Sequence, residues 1–434
     1  MRIIADLHIH SKYSRATSEK MNIDEITRFA KIKGLNLVGT GDFTHPRWLE
    51  ELKEKLVAVQ DADLYTFRKD PSSQVYFMIT SEVSTIFTFE NEAKKIHHVI
   101  LTPNLATASQ INERLALHGN LSVDGRPTLD MTAPQLVEEI TEISKENVVF
   151  PSHAWTPWFS IFGAFSGFDN MEDCYQDMTK HIFALETGLS SDPPMNWRLS
   201  TLDKYTLVSN SDSHSSWPWR IGREANVFEL EQCTYSNVVD AIRSKDANSF
   251  KYTIETDPAY GKYHWTGHRN CKISLSPQEA IKFGNRCPVC NRRLTKGVEQ
   301  RVEELADRPT GFKPEKAIGY MHLLPLSEII ATVLGVTYPS VKKVWDNYNM
   351  LLEKFGNEYA LLIDALEEEM TKIVDPKIAE AIVKVREGKV KIVPGYDGVY
   401  GQLILFEKEG QEEKRKEESP SQQRERQQSL FDFM

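Results

Sequence analysis

His8 and His10, within Asp6-Leu7-His8-Ile9-His10-Ser11, follow directly on the apolar run Arg2-Ile3-Ile4-Ala5. Such a run predicts a short buried strand, and side chains two apart on a strand point to the same side. Two imidazoles at a strand's carboxyl end can share one divalent ion, with Asp6 placed to orient one of them from behind. The arrangement recurs along the chain. Leu35 to Val38 runs into Gly39-Thr40-Gly41-Asp42-Phe43-Thr44-His45, and Val75 to Thr80 into Ser81-Glu82. His97 and His98 open a run that ends at Thr102, and Asn147 to Ser152 delivers His153. Ile182 to Leu185 delivers Glu186, and Tyr205 to Ser211 delivers Asp212-Ser213-His214. Clustered divalent ions make hydroxide available near neutral pH and clamp the attacking and leaving oxygens of a phosphoester. Arg220 and Arg223, just past the last group, are candidates to hold phosphate oxygens.

The elements that must position these groups follow from the same pattern. Short β-branched or aromatic runs end in ligands, and helical periodicity lies between several of them, as at 22–33 and 133–145. That alternation predicts an α/β fold of parallel strands with crossover helices. Ligands collected at the carboxyl ends of strands are the arrangement of a barrel active site.

DLHIHS, the GTGD turn, the Glu after a strand, the later His and SDSH together resemble the PHP (polymerase and histidinol phosphatase) family of metal-dependent phosphoesterases, over roughly residues 1–230. The resemblance implies a distorted (β/α)7 barrel with a three-metal centre. By position, His8, His10, Glu82 and Asp212 would hold one ion, and Glu82, His98 and His153 a second, with Glu82 bridging. His97 would face away from His98 and stay outside the set. A third ion would take His214 and Asp42 of the Gly41-Asp42 turn. Asp212, Glu82, His214 and Arg223 would carry the reaction. An imidazole-rich set favours zinc, up to three ions, while manganese or magnesium also suits mixed nitrogen and oxygen ligands. Two departures bear on the third ion. Thr40-Gly41-Asp42 has Asp where the family has His, so that His45 either substitutes or is merely nearby. The stretch after the first motif also holds Arg15 and Ala16 in place of a ligand.

At 434 residues the chain should form two or three domains. The barrel is expected over 1–235. No apolar run is long enough for a membrane span or signal peptide, which predicts a cytoplasmic protein. A second module is expected over 255–300, where His268-x2-Cys271 and Cys287-x2-Cys290 have the spacing of a closed, structural zinc site. Cys174 and Cys233 read as ordinary buried thiols. The net charge of −10 argues against nucleic acid, yet Lys262 to Lys296 holds eight Lys or Arg against one acidic residue, Glu279. Tyr260, Tyr263, His264 and Trp265 precede the knuckle. Basic residues with interleaved aromatics are the footprint of a nucleic-acid surface, with Arg269, Lys272, Arg292 and Arg293 as candidate contacts. Residues 301–405 read as mostly helical, notably 327–334 and 340–355.

Residues 406–426 read as a disordered linker. The final segment, 427–434, resembles the box by which replication proteins dock on the sliding clamp PCNA. By that resemblance Gln427 fills a polar pocket and Leu430, Phe433 and Met434 an apolar one, although Met434 stands where an aromatic is usual.

Phosphoesterase site, basic zinc module and clamp tail together resemble the archaeal DNA repair endonucleases of the PHP family. That resemblance implies hydrolysis of the phosphodiester 5′ to deaminated bases (uracil, hypoxanthine, xanthine) and abasic sites. Reading a damaged base requires turning it out of the stack. The aromatic stretch 155–165, with Trp155, Trp158 and Phe159, is the candidate wedge, with Trp217 and Trp219 opposite. The alternatives are a histidinol-phosphatase-like phosphomonoesterase, a lesion-independent exonuclease, and a clamp-bound adaptor without activity.

Overall fold

A computed structural model of the protein describes residues 1–406. It divides into two compact units: Met1–Met321 with Pro394–Gly401, and His322–Val393 with residues 402–406. The linker and clamp box expected at 406–426 and 427–434 lie, apart from Phe406, outside the described residues.

Unit 1 is built on mixed sheets. Its strands are β1 (Arg2–Asp6), β2 (Leu37–Gly39), β3 (Leu56–Val59), β4 (Leu64–Phe67), β5 (Tyr76–Phe89), β6 (Glu92–Thr102) and β7 (Thr128–Leu129). β8 (Val148–Pro151), β9 (Ala184–Glu186), β10 (Thr206–Val208), β11 (Ala225–Glu229) and β12 (Phe250–Glu255) follow. The main path runs β12-β11-β1-β2-β5-β4-β3, with β6 on β5 and β8 on β6, while β9 and β10 form their own pair. β1, β2 and β5 are parallel, as are β9 and β10. The helix Ile23–Lys33 makes the crossover from β1 to β2. Asn22 caps its start by accepting from the Glu25 N–H, and Gly34 ends it at φ 94°, which suits glycine.

The α/β class stands, but the parallel barrel expectation holds only for part of the sheet. β5 does not stop at Glu82. It continues to Phe89, turns through Glu90 (φ 48°) and Asn91 (φ 65°), and returns antiparallel as β6. Positive φ at both turn residues is the two-residue hairpin whose twist matches the flanking strands. Leu7, Leu37, Met78, Val99, Phe150, Ala184 and Val208 share one buried core, so that the chain segments carrying the ligands rest on common packing.

The module expected over 255–300 lies within unit 1. The hairpin Thr266–His268 and Ile273–Leu275 packs on the helix Pro277–Lys282 over a core of Leu275, Ala280, Cys287 and Leu294. The helical region begins later than residue 301. The helix Val298–Leu305 belongs to unit 1, where Arg301 binds the Phe162 and Phe168 carbonyls. Pro394–Gly401 also returns to unit 1, with Gly395 O accepting from Trp265 N–H and Asp397 accepting from Arg269 N–H. Unit 2 packs the helices Leu326–Leu334, Lys342–Phe355 and Pro376–Arg386, close to the spans read from periodicity. Inside it the buried Glu358 carboxylate accepts from Leu326 N–H and Tyr348 O–H. No helix among the described residues is long and apolar enough to cross a membrane.

Candidate metal centre

Glu82 is the middle of the site. Its side chain is buried in the interior of β5, and its two oxygens face different ligand sets. Oε2 lies 3.3 Å from His10 Nε2 and 3.6 Å from His8 Nε2. Asp212 completes that set, 2.9 Å from His10 Nε2 and 3.7 Å from His8 Nε2. Oε1 lies 3.0 Å from His153 Nε2 and 3.0 Å from His97 Nδ1. Within each of the two sets, the donor atoms gather to within 4.8 Å of one another.

The donors are aimed by partners behind them. Glu186, at the end of β9, holds His8 Nδ1 with both carboxylate oxygens at 3.1 Å. This leaves His8 Nε2 buried and without a hydrogen-bond partner, facing the carboxylates at distances too long for hydrogen bonds. An orphaned imidazole nitrogen among carboxylates fits a shared divalent cation. Asp42 holds His10 Nδ1 at 3.0 Å, and Thr156 Oγ1 holds His153 Nδ1 at 3.0 Å. Asp42, His153 and Asp212 all have positive φ (49°, 30° and 47°), so turns at strand ends carry backbone strain at the site.

Electrostatics agree with this geometry. Burial pulls the His8 pKa down, but Glu186 and Glu82 outweigh it and hold His8 well above the usual imidazole range. His10 behaves alike through Asp42 and Asp212. Burial raises the Glu82 and Asp212 carboxyls, yet surrounding cations and donors keep both below the usual carboxylate range. In the metal-free protein, protons on His8 and His10 therefore neutralise these anions, and a bound cation would displace them.

Several expectations are corrected. His97, not His98, joins Glu82 and His153. Ser84 pairs with His97 and Val83 with His98, and Ser84 is two residues from Glu82, so the register puts His97 on the Glu82 face. His98 faces the other way, between Thr85 Oγ1 and the Tyr175 hydroxyl at 2.9 Å each. Asp6 does not back an imidazole; it accepts from Ser211 N–H and O–H and from Gly222 N–H. The third ion site is not assembled among the described residues. Asp42 Oδ1 is taken by His10, and Oδ2 by the Ser11 N–H and the Ser11 and Ser14 hydroxyls. His214 lies against His10 with the rings tilted and their centroids 4.3 Å apart, and its Nδ1 is held by the Asp212 carbonyl. His45 is buried and stacks on Tyr13 at 4.3 Å. Arg223 is buried, its guanidinium 5.9 Å from the Tyr260 ring. Two residues were missed from sequence: Glu186, visible as a strand end but without a role, and Arg126, which no motif signalled. Arg126 Nη1 donates to Glu82 Oε2 at 3.0 Å.

Among the wedge candidates, Trp155 is core: it is buried, donates to Asn196 Oδ1 at 2.8 Å and packs on Phe162. Trp158 is exposed and stacks on Phe165 at 5.0 Å, and Phe159 packs on His97 at 4.8 Å. Trp217 and Trp219 stack on one another. His268, Cys271, Cys287 and Cys290 come together as one four-donor cluster. Burial pushes the Cys287 thiol up, but the Cys290 and Val289 N–H groups and His268 draw it down to about 6, which favours a metal-binding thiolate. Arg269, Lys272, Arg292 and Arg293 are all exposed.

A family profile described as the MJ0043 C-terminal domain matches residues 325–389. The protein MJ0043 of Methanocaldococcus jannaschii is 34% identical over 261 residues, 58% of this chain, while the chain spans only 31% of that protein. The crystal structure of the lesion-specific endonuclease PfuEndoQ from Pyrococcus furiosus matches at a TM-score of 0.84 and 34% identity, covering 96% of this chain and 100% of that one. A structure of endonuclease Q with a 27-mer duplex bearing an abasic lesion at its active site matches at a TM-score of 0.82 and 34% identity, covering 94% and 97%. A match of this identity over the whole of PfuEndoQ means that the chain belongs to the endonuclease Q family.

Proposed function

We propose that this protein is a metal-dependent DNA repair endonuclease that hydrolyses the phosphodiester 5′ to deaminated bases (uracil, hypoxanthine, xanthine) and to abasic sites. The observation that carries this reading is Glu82, one carboxylate shared between two ligand sets, in a chain alike over its length to a lesion-specific endonuclease. His8, His10, Glu82 and Asp212 would hold one ion, and Glu82, His97 and His153 the other. Zinc suits the imidazole-rich donors, with manganese or magnesium as alternatives. Such ions supply hydroxide at neutral pH and stabilise charge on the phosphoryl oxygens. The protein's own groups hold that arrangement rigid. Glu186 and Asp42 fix the imidazole planes, and the Asp212 carbonyl fixes the His214 tautomer so that neutral His214 has Nε2 as its acceptor nitrogen.

Support for DNA as the substrate comes from the exposed basic residues of the zinc module and from the duplex-bound relative. The closed knuckle would hold a structural zinc ion. Trp158 and Phe159 are the aromatic groups proposed to support a flipped nucleotide, since Trp158 is open and Phe159 adjoins His97. Gln427, Leu430, Phe433 and Met434 would dock the chain on PCNA.

The test uses duplexes carrying one uracil, one hypoxanthine, one abasic site or none. We expect a single cut 5′ to each lesion, abolished by chelation and reduced at least about 1,000-fold by Asp212→Ala. Cleavage of unmodified duplex at the same rate, or hydrolysis of a simple phosphomonoester in place of DNA, would overturn the reading. A nicked product from closed circular DNA bearing one uracil separates it from an end-dependent exonuclease.

A further inference from the structure

The centre is closed on nearly every side. His8, His10 and Glu82 side chains are at most 1% exposed, and His97 and His153 at most 9%. Three side chains stand apart: Arg126 at 26%, Asp212 at 29% and His214 at 30%. These groups form the side from which a substrate can enter.

Arg126 is held there by its backbone. Asp124 accepts from the Arg126 N–H, Gly125 N–H donates to the Tyr13 carbonyl, and Thr44 O–H donates to the Gly125 carbonyl. The Pro127 carbonyl accepts from Ser84 N–H, two residues along β5 from Glu82. Gly125 is required for this fit, since a Cβ there would stand 2.3 Å from Asp42 Oδ2 and from Ser14 Oγ. Against this rigid mount, the guanidinium makes one hydrogen bond among the described residues, to Glu82 Oε2. Guanidinium carries five N–H donors in a fork that matches phosphate oxygens. A partly desolvated arginine with most donors unused is poorly explained as a structural ion pair alone.

We infer that Arg126 is a phosphate ligand of this centre, supplying at its mouth the positive charge that a third metal ion would supply. The inference rests on the proposed phosphodiesterase function. It also accounts for the commitment of Asp42 to His10, Ser11 and Ser14, and for His214 joining no three-donor group among the described residues. The side chain stays on Glu82 when no phosphate is present and turns its open donors to a non-bridging oxygen of the scissile phosphate when DNA is bound. Developing charge on that oxygen is stabilised most in the transition state.

The experiment compares wild type, Arg126→Gln and Arg126→Lys as full chains loaded with zinc. Metal analysis should find two ions at the centre and one at the knuckle in all three proteins. Inorganic phosphate titrated calorimetrically into the loaded proteins should bind at least about 10-fold more weakly to Arg126→Gln. On uracil-bearing duplex, Arg126→Gln should lose about 100-fold in kcat/KM, and Arg126→Lys, which keeps the charge but not the fork, should recover only part. A third ion at the wild-type centre, or unchanged phosphate binding by Arg126→Gln, would overturn the inference. Should wild type fail to cut any lesion, the functional reading fails instead, while metal content and phosphate titration still decide the role of Arg126. An Arg126→Gln protein that misfolds would show itself by losing the ions, and Arg126→Lys then carries the test.

Discussion

His97 and His98 are chemically identical neighbours with opposite fates. His97 turns toward Glu82, while His98 is sealed between Thr85 and Tyr175. Replacing His97 with Ala should remove the second ion from the metal analysis, whereas His98→Gln should leave both ions in place. Retention of the second ion by His97→Ala would exclude it as a ligand. His98 should instead govern acid stability. Burial lowers its pKa to about 3 from 6.5, with His97 adding to the effect. A histidine kept neutral in the fold but free to protonate when unfolded contributes its full stability above 6.5 and loses it as pH falls toward about 3. Denaturant titrations of the metal-free protein between pH 6.5 and 4.5 should therefore show a steeper loss in wild type than in His98→Gln, by up to about 1.4 kcal/mol per pH unit. Parallel pH profiles would contradict that account.

At the scale of elements, the knuckle and the strands reach stability in different ways. The module of the His268-Cys271-Cys287-Cys290 cluster buries four core residues, Leu275, Ala280, Cys287 and Leu294, too few to hold a fold by apolar burial alone. An ion held by its four-donor cluster would supply the rest. Cys287→Ser is thus expected to release one ion and to make the segment 266–296 sensitive to protease, while the ions at Glu82 remain. Loss of all metal would mean that the two sites are coupled. The strands, by contrast, rest on the shared core of unit 1, and their local signals were legible: β1, β2, β8, β9 and β10 all fall where apolar runs met ligands. β5 and β6 depart from that pattern, because the ligand that closes a strand elsewhere lies inside one here. Glu82 lies mid-strand, and nothing in its neighbours marks the hairpin turn at Glu90-Asn91 as strongly as an Asn-Gly would.

For the whole molecule, the chain divides differently from the order of its motifs. The helix Val298–Leu305 and the segment Pro394–Gly401 belong with unit 1 because Arg301, Gly395 and Asp397 hydrogen-bond there, a pairing across long sequence separation. The proposed clamp segment makes a separable claim. Deletion of residues 427–434 should abolish co-sedimentation with PCNA and leave cutting of uracil-bearing duplex unchanged in the absence of the clamp. A truncated chain that still binds PCNA would place the contact elsewhere, and one that cannot cut would tie the segment to catalysis.

The amino-acid sequence by itself determined the kinds of donor and, for those other than Glu82 and His97, their placement near strand ends, since alternation and strand termination are local properties. Within it, His8 and His10, Asp212, His153 and the His268-Cys271-Cys287-Cys290 set were legible because each depends on spacings of a few residues or on strand ends. Only the tertiary structure decided what depends on pairing between distant segments. The β5–β6 register selected His97 over His98, and the turn after β2 turned Asp42 into the support of His10. The docking of 124–127 on β5 brought Arg126 to Glu82, 44 residues away in sequence. A one-residue change of register moves a side chain to the opposite face at no local cost, so no short stretch of sequence could have settled these choices.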